Sequence, residues 1–257
     1  MKNRITELFA EKKENILNIY FTAGFPELND TVRVLKALEN AGVDMVEIGM
    51  PYSDPTADGP IIQESSEKAI SNGMTIPKLF EQLEDIRKEV KIPIVLMGYL
   101  NPVMQYGLEN FCKKAAEVGV DGTILPDLPF DLYEKDYKSL FEKNQISNVF
   151  LVTPQTSESR LKELDKTSEG FIYVVSTNST TGNTDKKVDS NEEYLNRIAT
   201  SGINNPTLIG FNIKDKSSFA NACKYANGAI IGSAFVKTLN ESTTIEEDIQ
   251  TFIENIK

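Results

Sequence analysis

The sequence predicts an α/β fold in one domain, residues 1–257: a closed (β/α)8 TIM barrel preceded by an extra N-terminal helix. Three observations carry this expectation. Short apolar runs rich in β-branched residues recur about eight times, the number a closed parallel barrel requires. Segments of helical periodicity alternate with them, as in successive βαβ units. The length, 257 residues, suits one complete barrel and is too short for two large domains.

The elements follow in order. MKNRITELFAEKKE reads as a short amphipathic helix of mixed charge, without the apolar core or small-residue cleavage site of a secretory signal. Strands are expected at Ile16–Phe21, Val43–Gly49, Ile92–Met97, Val120–Leu125, Asn148–Val152, Phe171–Ser176, Thr207–Phe211 and Ala229–Gly232. Their apolar character is continuous rather than alternating, as in strands covered on both faces of a parallel sheet. Asn29 or Asp30 caps a helix in which Val32, Leu35 and Leu38 step by three, ending near Gly42. Thr75 with Pro77 opens another, with Leu79, Leu83, Ile86 and Val90 on one face. Further helices are expected at 108–118, 131–143, 157–167, 190–201, 215–226 and 245–256, and AFVKTL after Gly232-Ser233 reads as a short extra helix. A faint internal repeat supports the alternation. Gly42, Gly119 and Gly228 each stop a helix just before a strand, as αβ loops commonly do.

Composition narrows the function. A formal charge of −11 argues against general binding to nucleic acid or anionic membrane, both of which demand basic patches. No stretch approaches the roughly 20 apolar residues that span a bilayer, so the cytoplasm is the expected location. Cys112 and Cys223 stand alone in helical, apolar surroundings and read as small core residues, not a disulfide framework. Histidine is absent, which removes Ser–His–Asp and Cys–His catalysis and every histidine-based metal site. No metal is expected. Acid–base work near neutral pH then falls to carboxylates, Tyr, Lys or Cys with tuned pKa values.

Two constellations carry chemistry. In MVEIGMPYSDPTADGP, Glu47 interrupts an apolar strand near its C-terminal end, where barrel enzymes place catalytic groups. Desolvation there raises a carboxyl pKa toward the range useful for proton transfer; the alternative is a structural Glu paired with a buried donor. Asp54 and Asp58 follow in a proline-rich loop. Two carboxylates in different surroundings can divide acid and base roles, although Asp58-Gly59 also suits a plain turn. The second constellation is the ends of the last three strands: STNSTTG at 176–182, Gly210-Phe211-Asn212, and Gly232-Ser233 before the short helix. Such loops, with a helix N-terminus, form the recurring phosphate site of barrels. Tyr20, Tyr99, Tyr173 and Phe211 lie near strand ends, where they could line a pocket for a flat substrate or simply pack.

At these residues the chain resembles the family of tryptophan synthase α subunits. The matching stretches are EIGMPYSDPTADGP (47–60), YLNPVMQYG (99–107), VGVDGTILPDLP (118–129), TTG (180–182), GF (210–211) and IIGSAFVK (230–237). The resemblance implies a lyase of tryptophan biosynthesis that cleaves indole-3-glycerol phosphate to indole and glyceraldehyde 3-phosphate. It makes Glu47 the acid–base residue, Asp58 the acceptor of the indole N–H and Tyr173 a tyrosine that orients the site. Tyr20, Met97 and Ile124 fall at indole-contacting positions, with Ile62, Tyr99 and Phe211 also around the substrate. Gly182, Asn212, Gly232 and Ser233 fall at the phosphate, and Thr181 in the mobile loop closing over it. The resemblance further implies a β-subunit partner in an α2β2 heterotetramer. Pyridoxal phosphate is expected there, with no cofactor in this chain. Asn212 stands where glycine is common in the family, and Thr56 replaces a usual apolar residue. A stand-alone lyase without a β subunit, or a non-catalytic regulatory barrel, are the alternatives.

Overall fold

Eight short strands, β1 (Ile16–Thr22), β2 (Met45–Gly49), β3 (Ile94–Met97), β4 (Gly122–Ile124), β5 (Ser147–Val152), β6 (Ile172–Val175), β7 (Thr207–Gly210) and β8 (Gly228–Ile231), pair in sequence order, and β8 closes on β1. Every pairing is parallel. This computed structural model describes residues 2–176, 184–210 and 212–257, with the backbone alone over 184–190. The continuous apolar runs have the predicted cause. Leu17, Ile19 and Phe21 face the surrounding helices, while Ile16 joins Met45, Val95, Ile124, Val149, Leu208 and Ile230 inside the barrel.

The N-terminal helix, Arg4–Glu11, closes one mouth of this barrel. Its apolar stripe puts Ile5 and Phe9 into the interior cluster, with the Phe9 ring 6.0 Å from Phe171. Asn3 caps the helix and also donates to Ser147 Oγ at 2.9 Å, while Arg4 meets the buried Asp121 at 3.0 Å. Substrate access is thereby confined to the opposite end, where the strands' C-termini gather.

Several expectations are corrected. The helix opened by Thr75 ends at Leu83, and Ile86–Lys88 forms a separate tight turn. Arg87 explains the break: its guanidinium donates to the carbonyls of Val90, Ile92 and Gly119, drawing the chain off the helix axis. The helix expected from 190 begins earlier, spanning Thr184–Ala199, and the one expected to 226 stops at Ala222. Tyr133–Tyr137, inside the 131–143 helix, is wound as a π-turn. Two helices, Pro60–Ser71 and Leu100–Tyr106, were not legible. The first turns Ser65 and Ser66 inward between Ile62 and Ala69, so the apolar stripe of its buried face is interrupted; Ser65 Oγ meets Thr22 Oγ1 at 2.7 Å. The N-terminus of the second is capped from a distance by Asp127, which accepts the Leu100 N–H at 2.8 Å. Gly42 and Gly119 do stop helices at positive φ, whereas Gly228 lies within β8, where a side chain would overlap the Ile16 carbonyl.

Candidate active site

At the strands' C-terminal end a cavity of about 500 Å3 opens, lined by Tyr20 and Glu47 and also by Ser233 and Lys237. Strand register orients the first two. Tyr20 on β1 is the direct partner of Glu47 on β2, so both side chains point into the barrel. Gly49, two residues beyond Glu47, leaves the space that the Tyr20 hydroxyl occupies; a Cβ there would overlap it. Tyr173 rises from β6, and its hydroxyl fits over Gly210 in the same manner. Gly210, expected to serve the phosphate loops, thus makes room for a tyrosine of the pocket.

Glu47 is wholly buried. One carboxyl oxygen, Oε1, accepts a hydrogen bond from Asn18 Nδ2 at 2.6 Å; the other, Oε2, is buried without a hydrogen-bond partner. Burial pushes its pKa up to about 8, against the modest opposing effect of the Asn18 amide. Asn18 is the buried donor that a purely structural glutamate would need, yet it satisfies half of the carboxyl group. The remaining oxygen fits a group that trades protons with a ligand.

Asp58 sits in the loop after β2, partly exposed. Desolvation raises its pKa, and the Tyr99 hydroxyl, donating to Oδ2 at 3.2 Å, pulls it back down. The two acids therefore share a cavity but differ in surroundings. One is enclosed and tends to hold its proton; the other is nearer solvent, and a hydroxyl offsets part of the upward push of desolvation. Tyr20 and Tyr173 have their pKa values raised by burial and by these carboxylates, so both remain neutral hydroxyls.

Beside Tyr20, where β8 pairs with β1, the helix Ser233–Glu241 begins on the cavity wall, with Gly232 as its non-helical cap. Free N–H groups and the helix dipole favour an anion there. Asn212 adjoins them in a left-handed conformation, φ 59°. Lys214 and Lys237 line the same region and bring positive charge. Sequence reasoning missed both lysines and Asn18. A polar residue inside an otherwise apolar strand was the available signal for Asn18; surface lysines gave none.

The cavity thus unites Tyr20, Glu47, Asp58, Ile62, Met97, Tyr173, Asn212, Gly232 and Ser233. Tyr99 lies behind Asp58 on a smaller cavity of about 60 Å3. Ile124 is fully buried in the barrel interior with Tyr173 and Ile230, beneath the cavity and not on its wall. Thr181, Gly182 and Phe211 lie outside the described residues. Among the described residues no group of three or more His, Cys, Asp or Glu side chains gathers for a metal ion, and no helix is long and apolar enough to cross a membrane.

Comparison with known proteins gives a consistent set of relatives. The sequence model of the family described as "Tryptophan synthase alpha chain" matches residues 6–257. The tryptophan synthase alpha chain of Flavobacterium johnsoniae is 53% identical over 255 residues, covering 99% of this chain and 100% of that protein. Its counterpart in Parabacteroides distasonis is 49% identical, covering 99% of each chain. Among solved structures, tryptophan synthase subunit alpha from Legionella pneumophila superposes with a TM-score of 0.87 at 29% identity, covering 100% of this chain and 97% of that one. The aminoacrylate-bound tryptophan synthase of M. tuberculosis gives a TM-score of 0.86 at 28% identity, covering 99% and 98%.

Proposed function

The chain belongs to the tryptophan synthase alpha chain family, and from that premise we propose how its residues divide the reaction. The reaction is the aldol-type cleavage of indole-3-glycerol phosphate to indole and glyceraldehyde 3-phosphate, a lyase step of tryptophan biosynthesis. Glu47 is the acid–base residue. It gives a proton to the ring carbon that bears the glycerol chain and takes the proton of the adjacent chain hydroxyl. The carbon–carbon bond breaks, its electron pair returns to the ring, and the hydroxyl carbon becomes the aldehyde. The proton given equals the proton taken, so Glu47 finishes as it began. A carboxyl whose pKa is held near 8 suits this exchange, since neither protonation state is remote at neutral pH.

Asp58 accepts the indole N–H and stabilises the positive charge on the protonated ring, a role for a carboxylate that stays ionised. Tyr173 and Tyr20 orient the ring, with Ile62 and Met97 supplying apolar contact, Ile124 packing beneath Tyr173, and Tyr99, Thr181 and Phe211 completing the substrate surroundings. Gly182, Asn212, Gly232 and Ser233 form the phosphate cradle. One domain, residues 1–257, carries all of this. The family works with a β subunit; the assembly we propose is an α2β2 complex in the cytoplasm, with pyridoxal phosphate in the β subunit and no step of the cleavage routed through it.

The observation that carries the reading is the half-satisfied carboxyl of Glu47 on the cavity wall. The test is an assay with indole-3-glycerol phosphate, with and without a tryptophan synthase β subunit, for the unmodified chain and Glu47→Gln. Indole release abolished by the substitution in a folded protein supports the assignment; retention of more than a small fraction of the rate refutes it. Turnover indifferent to the β subunit would favour the stand-alone lyase.

A further inference from the structure

Asn18 is a wholly buried amide inside the barrel, on a strand whose other inward side chains are Ile16, Tyr20 and, at its end, Thr22. Register places it on β1 opposite Met45, two residues before Tyr20, which pairs with Glu47. Its Nδ2 donates to Glu47 Oε1 at 2.6 Å, and its own Oδ1 is buried without a hydrogen-bond partner. Burying an amide with an empty acceptor is unfavourable, and an apolar residue would fit the layer. Both orphaned oxygens, Asn18 Oδ1 and Glu47 Oε2, belong to one contacting pair. That coincidence suggests a functional use.

We propose that Asn18 is the positioning residue of the acid–base glutamate, holding Oε1 in both protonation states so that Oε2 is the oxygen left to meet the substrate. The proposal rests on the reading of Glu47 as the proton exchanger. A carboxamide has a donor end and an acceptor end. Toward ionised Glu47 it presents Nδ2, as in the structure. In the acid, whose proton must sit on Oε2 to reach the substrate, Oε1 is the carbonyl oxygen and accepts the same Nδ2 bond, so Asn18 keeps the exchanged proton on the oxygen that faces the ligand. A Lys or Arg in this place would lock the carboxylate in its charged form, and an aliphatic side chain would leave both oxygens loose. The other titratable groups facing Glu47 are Tyr20 from β1, Tyr173 from β6 and Asp58 from the loop after β2, with Lys214 and Lys237 farther along the cavity. Both tyrosines stay neutral across the working range, so Asp58 is the neighbour whose titration must be separated.

The experiment follows the Glu47 carboxyl directly, by carbon-13 resonance of glutamate-labelled protein, with Glu47→Gln to assign the signal. In the unmodified chain the signal should titrate near 8. In Asn18→Leu, which keeps volume and removes the donor, the midpoint should move up by about one pH unit or more. The Glu47-controlled limb of the kcat/KM profile should move with it, with little change in KM. A merely structural role would lower kcat and leave the midpoint in place, and that result overturns the proposal. In the unmodified chain, the nitrogen-15 resonance of the Asn18 amide should titrate with the same midpoint as Glu47; an amide signal indifferent to pH overturns the proposal even if the leucine variant does not fold. Were Glu47→Gln itself active, the acid–base reading would fail first, whatever Asn18 does.

Discussion

Tyr99 holds Asp58 from behind: its hydroxyl donates to Asp58 Oδ2 at 3.2 Å while accepting the Ala57 N–H at 3.0 Å. One phenol thus ties both the side chain and the backbone of the acidic loop to the end of β3. The Tyr52 ring packs on it at 5.1 Å between centroids, restricting its swing. Tyr99→Phe keeps the ring and deletes both bonds. A hydrogen bond to a charged group contributes about 1.5–3 kcal/mol, so kcat/KM should fall about tenfold or more. The direction with pH is also set. Tyr99 lowers the Asp58 pKa against desolvation, so its loss lets that pKa rise, and the acid limb of kcat/KM moves to higher pH. Superimposable profiles for the two proteins would rule out Tyr99 as the anchor of Asp58.

Glu47 should make the fold weaker as pH rises. In the unfolded chain its carboxyl returns to the usual 4.5, while in the folded barrel it sits near 8. Between those values the unfolded state has released a proton that the folded state keeps, so stability is greatest below 4.5 and declines up to about 8. Glu47→Gln lacks this dependence and should gain on the order of 3–5 kcal/mol relative to the unmodified chain across that window. Thermal denaturation of both proteins from pH 5 to 9 measures it: the Tm difference should widen and then level off. A difference constant with pH would contradict a buried, proton-holding Glu47.

The sequence carried the barrel because strand burial on two faces leaves a signature in every window, and Glu47 stood out by breaking it. It did not carry Pro60–Ser71, whose inward face mixes Ser65 and Ser66 with Ile62 and Ala69, since serines satisfied inside the fold look like surface residues. Nor did it carry the break after Leu83, which depends on an arginine reaching a carbonyl 32 residues away, that of Gly119. The site was legible where chemistry needs an unusual residue, as at Asp58, and illegible where it needs ordinary ones in a special place, as at Lys214 and Asn18. Gly210 shows the intermediate case: its importance was visible, but its task, clearing space for Tyr173, is a fact of packing between β6 and β7.

Gly210→Ala tests that packing. A Cβ at this position would overlap the Tyr173 hydroxyl, and the backbone beneath it is a strand end that cannot yield freely. Overpacking of this kind costs about 1–3 kcal/mol. The ring must tilt within the cavity, so kcat should fall about tenfold or more while the barrel stays folded. Gly210→Ala with Tyr173→Leu removes the ring atoms that the new Cβ would meet as well as the hydroxyl, and should recover part of the lost stability. If the double variant is as unstable as the sum of the single ones, the clash lies elsewhere.

Asn212 occupies a left-handed backbone position on the anion side of the cavity. Such a conformation disfavours side chains other than Asn or Asp by about 1–2 kcal/mol, and glycine adopts it freely. Asn212→Ala should therefore lose about 1 kcal/mol of stability, and Asn212→Gly should be close to neutral. Removing the side chain also widens the space before Ser233. The KM for indole-3-glycerol phosphate should fall in Asn212→Gly by roughly two- to threefold, a change of a few tenths of a kcal/mol. A higher KM in the glycine variant would mean that the Asn212 amide itself binds the phosphate.

Lys214 and Lys237 address the electrostatic problem of this chain, which carries a formal charge of −11 yet must admit a phosphate dianion. Lys237 stands 3.9 Å from Glu241 in an exposed pair that contributes little, so its charge remains available to the cavity. Lys214 lines the cavity close to Asn212. Both lysines are exposed, so their effect should be long-ranged and screened by salt, unlike that of the backbone N–H groups at Ser233. Lys214→Gln should raise KM by about three- to tenfold at low ionic strength, leave kcat unchanged, and lose most of its effect near 0.5 M salt, where the screening length is only a few ångströms. The same substitution should not alter KM for a substrate analogue lacking the phosphate. An increase in KM that persists at high salt would instead place the Lys214 ammonium in direct contact with the phosphate, and no increase at either ionic strength would remove the lysine from substrate capture.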